Sequence, residues 1–211
     1  MNQQFKKGLI LTSFGSFWWG FIGVIYFKYL DFIGYIEVVV HRCVWTTASL
    51  ILTTIFFSKW KIFFSIISNK KNLIALFFSG LLIFINWSVW IYAVATDQII
   101  DASFGYFIMP ILSVMLVYLF FNEKLNKKRV FSILLVILSI FFLIIVSIKS
   151  LPWVGLIVAL SWGFYNLVRK KINIDTDIGL FIESLFILPF ALIAFYLITS
   201  KGYNDFQLSN P

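Results

Sequence analysis

Apolar residues run almost unbroken through seven windows of the chain: 8–28, 36–57, 73–95, 101–121, 130–148, 152–168 and 179–199. A helix needs ~20 such residues to cross a hydrocarbon core of ~30 Å. The ten-residue alternation of apolar and polar positions that marks barrel strands does not occur. The pattern predicts seven transmembrane helices in an all-α polytopic membrane protein. Composition removes the soluble alternative: 61% of the residues are hydrophobic and 12% charged, against about 25% charged in a typical soluble domain. Lys6 and Lys7 precede the first window as they would in a secretory signal. That window is too long for a signal core, however, and no small-residue cleavage site follows it. Cys43, the single cysteine, lies inside the second window, so no disulfide framework exists.

The charges fall between the windows in an uneven way. Of the 17 basic residues, 13 lie at the N-terminus or in alternate connections: Lys6 and Lys7; Lys59, Lys61, Lys70 and Lys71; Lys124, Lys127, Lys128 and Arg129; and Arg169, Lys170 and Lys171. The opposite connections and the C-terminal tail carry only Lys28, Lys149 and Lys201. Lys and Arg in short loops favour the cytoplasmic side. This predicts a cytoplasmic N-terminus, with Arg169, Lys170 and Lys171 as topology determinants and the tail from Ser200 outside. The net charge of +8 is thereby explained without nucleic acid.

Two stretches repeat. "WGFIGVIYFK" from Trp19 is answered by "WGFYNLVRKK" from Trp162, and "IGYIE" at 33–37 by "IGLFIE" at 178–183. The spacing gives five helices per unit, which divides the chain into residues 1–150 (helices one to five) and 151–211 (helices six and seven). An odd number of helices sends the second copy into the membrane upside down, the arrangement typical of secondary transporters. Two full copies would need about 290 residues, so the second unit is expected to be incomplete in this chain.

Ionisable groups in lipid usually face a partner or a cavity. Glu37 and His41, four apart, share one helical face, where the carboxylate can orient the imidazole as a proton-exchanging pair. Arg42 points about 100° away. The competing reading is that this end of the helix is wet and headgroups solvate Glu37. Glu183 recurs in the same local context at the opposite membrane face, which favours a functional role. Asn86, near the middle of the third window, reads equally as helix–helix glue or as a cavity amide, and Trp87 beside it as packing or as a stacking surface. Pro110 frees the carbonyl of Tyr106, either to line a cavity or simply to kink its helix; Pro189 does the same to Leu185. Gly8, Thr12, Ser16 and Gly20 form a small-residue ridge suited to close packing. The uncharged fifth helix reads as lipid-facing or as a homodimer contact.

The stretches "EVVVHRCVW" (37–45), "NWSVWIYAV" (86–94), "DASFGYFIMP" (101–110) and "FYNLVRKKI" followed by "IES" (164–184) resemble the RarD-type members of the EamA family, within the drug/metabolite transporter superfamily. The resemblance implies ten helices in two inverted five-helix repeats, in a bacterial inner membrane. It also implies that Glu37, His41, Arg42, Trp45, Asn86, Trp87, Asp101, Gly105, Tyr106 and Pro110 hold signature positions. Met109 and Asn166 depart from the expected pattern. The function it implies is secondary-active export of small organic metabolites or drugs by alternating access, with the lipid bilayer, a small solute and protons as partners. Glu37 and His41 would handle the coupling proton or the solute's charge, Arg42 or Asp101 would pair with a charged solute or with each other, and Trp87 and Tyr106 would line the cavity. A membrane enzyme is disfavoured, because His41 stands alone without a metal or nucleophile motif. No cofactor or metal is implied, and no P-loop supports a primary pump. The alternative is a non-transporting membrane fragment or subunit that needs a partner chain.

Overall fold

A computed structural model describes residues 3–30, 32–121, 126–143, 145 and 153–206. The end of the fifth window, the unit boundary at 150/151, Lys124 and Lys149 lie outside the described residues, as does the side chain of Arg129. The described chain forms nine α-helices in order: α1 (Gln3–Phe17), α2 (Val24–Tyr29), α3 (Tyr35–Phe56), α4 (Trp60–Ile67), α5 (Lys70–Ala95), α6 (Ile99–Phe121), α7 (Lys127–Leu143), α8 (Trp153–Ile172) and α9 (Thr176–Ser200). A π-helical turn, Trp18–Gly23, joins α1 to α2, so that Gln3–Tyr29 runs as one rod.

A helix stands on every predicted window. Five are long and apolar enough to cross a membrane: Gln3–Tyr29, Tyr35–Phe56, Lys70–Ala95, Ile99–Phe121 and Thr176–Ser200. In lipid each backbone polar group must be satisfied internally, which is why apolar stretches of this length become helices. The shorter α7 holds the apolar stretch Val130–Ser139, and α8 spends its last turn on Arg169, Lys170 and Lys171. The connection 58–72, expected as a loop, contains α4. Its Phe63 and Ile66 are buried with Leu76, Ile178, Phe181 and Ile182, so the apolar run "WKIFFSII" caps the bundle.

Tight connections set the neighbours. Ser58, Asp97 and Asn173 each take a positive φ, turning the chain sharply after α3, α5 and α8; Asn and Asp tolerate that conformation better than most residues. Asn69 starts α5 by accepting the backbone N–H of Lys71 at 3.0 Å, an N-cap. Helix α8 lies between α5 and α6, and α9 between α3 and α5. The α6–α8 crossing is close enough that a Cβ on Gly105 would lie 2.6 Å from the carbonyl oxygen of Gly155. Helix α3 runs antiparallel to α9 and is clasped to it at both ends. Lys59 reaches Asp177 at 2.7 Å and Asp175 at 3.4 Å, while Asp205 Oδ2 accepts the N–H of Gly34 at the other end. Helix α7 packs on α6 with its described side chains exposed or half-buried, as the peripheral reading of the fifth window expects. The ridge along the first rod behaves differently from its close-packing expectation: among the described residues of other elements, nothing lies within 4 Å of a Cβ built on Gly8 or Gly20.

Candidate functional site

Arg42 sits seven residues into α3, about 10 Å along its axis at 1.5 Å per residue. Its guanidinium lies over three rings: Trp87 at 4.4 Å, Trp19 at 5.2 Å and Phe27 at 5.5 Å. Among the described residues it makes no ion pair, and its Nη1, cut off from solvent, has no hydrogen-bond partner. A guanidinium stays protonated in proteins, so burying it without a counter-charge is costly. Cation–π attraction offsets part of that cost, by about 2 kcal/mol or more for a desolvated contact. The cage is assembled from three helices. Trp19 comes from the π-helical turn, a distortion often found at functional sites, and Trp87 from the buried face of α5.

Beside the guanidinium opens a cavity of about 250 Å³ walled by Trp19, Arg42, Asn86, Trp87, Tyr106 and Trp162. The Tyr106 hydroxyl accepts the indole N–H of Trp19 at 3.3 Å. The Asn86 amide nitrogen donates to the carbonyl of Val158 and to the hydroxyl of Ser161, both at 3.1 Å. Asn86 therefore glues α5 to α8 and borders the cavity at once. A wider cleft of about 490 Å³ lies on the other side of Arg42, where His41, Trp45 and Phe206 contribute to its wall.

Glu37 and His41 do share a face, with Oε1 and Nε2 3.6 Å apart. That is ion-pair range but too long for a hydrogen bond. The carboxylate's hydrogen bonds come instead from the segment after α9: its oxygens accept the backbone N–H groups of Asp205 at 2.9 Å and Phe206 at 3.2 Å. Nothing in the sequence pattern pointed to that segment as a partner. The His41 ring packs between Phe195 and Phe206, at 5.4 and 5.0 Å.

Glu183 occupies a second polar centre, fully buried between α5, α8 and α9. Ser79 donates to its Oε1 at 2.5 Å and the Tyr165 hydroxyl to its Oε2 at 3.2 Å. Arg169, expected only to mark the cytoplasmic end of α8, turns inward. Its Nη1 stands 3.7 Å from Glu183 Oε1, and its Nη2 donates to the carbonyls of Asp175 and Thr176. Glycine at 179 makes this route available, because any Cβ there would overlap the guanidinium. Lys170 lies over the Phe121 ring at 4.7 Å, and Lys171 is exposed.

Other expected residues stand apart from the cavity. Asp101, in the first turn of α6, makes no ion pair with Arg42, and its backbone carbonyl packs against Gly155. Pro110 faces the groove between α6 and α7 with Lys128 and Ser132. Trp45 is 67% exposed at the rim of the wider cleft. Trp19 and Trp162, prominent in sequence only as repeat markers, are walls of the site.

The EamA-like transporter family matches residues 6–145. The chain belongs to that family. It is 36% identical over 208 residues to an "Uncharacterized transporter" of Vibrio cholerae, covering 99% of this chain and 68% of that protein. Identity is 36% over 198 residues to "Uncharacterized transporter YojE" of Bacillus subtilis, covering 90% of this chain and 64% of the relative. With "Protein RarD" of Escherichia coli it is 30% over 200 residues, 95% of this chain and 67% of the relative. The chain thus spans about two thirds of the length of these relatives. No solved structure matches it. It is a multi-pass membrane protein of the RarD type, and not an enzyme.

Proposed function

We propose that the chain forms the solute-binding portion of a secondary-active carrier for small organic metabolites or drugs, working by alternating access. The single observation that carries this reading is the half-buried guanidinium of Arg42, which has no counter-charge among the described residues and lines an aromatic-walled cavity. A membrane protein with no solute to bind has little reason to maintain such a charge. The names of the Vibrio cholerae and Bacillus subtilis relatives agree with transport. In this reading the Glu37–His41 pair handles a coupling proton, and α3 and α9 are corresponding helices of two inverted units, residues 1–150 and 151–211. The N-terminus faces the cytoplasm of a bacterial inner membrane, and flux runs outward.

The test is reconstitution of the chain in liposomes bearing an imposed pH gradient, with a defined mixture of metabolites outside and the lumen read by mass spectrometry. The reading expects at least one solute to accumulate beyond protein-free vesicles, with loss of the gradient dependence in Glu37→Gln. Vesicles with and without protein that fill identically speak against transport by this chain alone. The second reading, a subunit that acts only with a partner chain, then takes its place. It is favoured by α1, none of whose side chains is buried.

A further inference from the structure

We infer that the cavity beside Arg42 binds a small organic anion, its carboxylate on the Arg42 guanidinium and its flat apolar body against the indoles; this rests on that cavity being the solute site. The cavity offers the Arg42 guanidinium, which makes no hydrogen bond or ion pair among the described residues, and beside it the Asn86 Oδ1, an acceptor that no described bond uses. The Tyr106 hydroxyl accepts from Trp19, and a hydroxyl has one proton of its own to give, which no described bond uses. The Asn86 amide nitrogen is already spent on Val158 and Ser161.

Among the described residues no carboxylate pairs with the cation, which distinguishes it from Arg169. A neutral solute would leave the half-buried charge unpaired, and a cationic solute would add a second one. An anion satisfies it, and charge-assisted bonds from a guanidinium to a carboxylate are among the strongest in proteins. Volume bounds the rest of the molecule. At about 250 Å³ the cavity falls below the ~300–1,000 Å³ of pockets for drug-sized ligands, so a single ring or short chain fits better than a polycyclic body. The walls contributed by Trp19, Trp87 and Trp162 suit a planar group.

Binding is measurable without flux, which separates failure of this inference from failure of the carrier reading. The probe is radiolabelled benzoate in equilibrium dialysis with the detergent-solubilised chain, competed by benzamide, its uncharged isostere, and by chloride. Benzoate is expected to bind saturably and about tenfold or more tighter than benzamide. Arg42→Met should abolish that preference while circular dichroism stays helical. Tyr106→Phe, a milder change should Arg42→Met fail to fold, is expected to weaken benzoate several-fold and benzamide less, so that the preference shrinks. Equal binding of benzoate and benzamide, saturable binding of neither, an unchanged preference in a folded Arg42→Met, or chloride displacing benzoate at equal concentration would each overturn the inference.

Discussion

Two arginines lie inside the bundle, and the molecule treats them in opposite ways. Arg169 crosses Gly179 to reach Glu183, 3.7 Å away, and fixes its other nitrogen on two carbonyls. Among the described residues Arg42 meets no carboxylate, and it is held by the faces of Trp19, Phe27 and Trp87. One charge is cancelled within the fold and ties α8 to α9. The other is left uncancelled at a cavity wall. The two charges therefore differ less in burial than in whether a described residue supplies the counter-charge, and the proposed binding role of Arg42 rests on that difference.

The largest expected effect breaks the cancelled pair. Glu183→Gln keeps the shape and leaves Arg169 buried without its counter-charge, a change that costs about 3 kcal/mol or more. It should appear as a clear drop in the thermal unfolding midpoint of the solubilised protein. Replacing both partners, Arg169→Met with Glu183→Leu, should recover much of that loss, because an apolar pair can substitute for a buried ion pair. Arg42→Met should behave oppositely, staying within about 1 kcal/mol of the parent or exceeding it, since no protein partner is orphaned. If Arg42→Met and Glu183→Gln destabilise equally, the two arginines are not the different kinds of group described above.

A middle-sized effect sharpens the same contrast through the backbone. Gly179→Ala places a methyl group where the Arg169 guanidinium lies, and overpacking of this kind costs about 1–3 kcal/mol. Because the methyl acts by pushing Arg169 away from Glu183, the Gly179→Ala and Glu183→Gln losses should sum to less than additivity when combined, as coupled sites do. Strict additivity in the double variant would mean that Gly179 acts by another route.

The helices were legible in the sequence because one rule, uninterrupted apolarity over a membrane's thickness, governs them. Tyr35–Phe56 and Lys70–Ala95 begin and end within a few residues of their windows. The site was legible only in part. Glu37 and His41 are neighbours on one helix, so local spacing sufficed, and Arg42 stood out as a charge in an oily stretch. Trp87 and Tyr106 were candidates from the start, but the rest of its surroundings was hidden because it comes from elsewhere in the chain: Trp19 from a π-helical turn with no sequence signature, and the cavity wall Trp162 from a helix far along. The inward turn of Arg169 was hidden for a related reason. A basic cluster at a helix end reads as solvated until the glycine beneath one member and the glutamate beyond it are placed together.

The smallest effect concerns the clasp at the end of α3, where charge is cancelled at the surface rather than in the bundle. Lys59 lies beyond the last turn of α3, and its hydrogen bond to Asp177, with Asp175 alongside, holds its pKa above the ordinary 10.5. A raised amine pKa means that the folded state binds the proton more tightly than the unfolded one. The contribution is therefore complete below about pH 10.5 and is lost as pH climbs through the higher folded value. Exposed pairs of this kind contribute little, so Lys59→Met should differ only slightly from the parent at pH 7, far less than Glu183→Gln. The decisive observation is the trend. Unfolding midpoints of parent and Lys59→Met should converge as pH rises past the amine's titration, whereas the gap between parent and an arginine-pair variant persists there, since the guanidinium keeps its proton. A Lys59→Met gap that stays constant to high pH would show that the clasp holds by packing of the lysine stem rather than by charge.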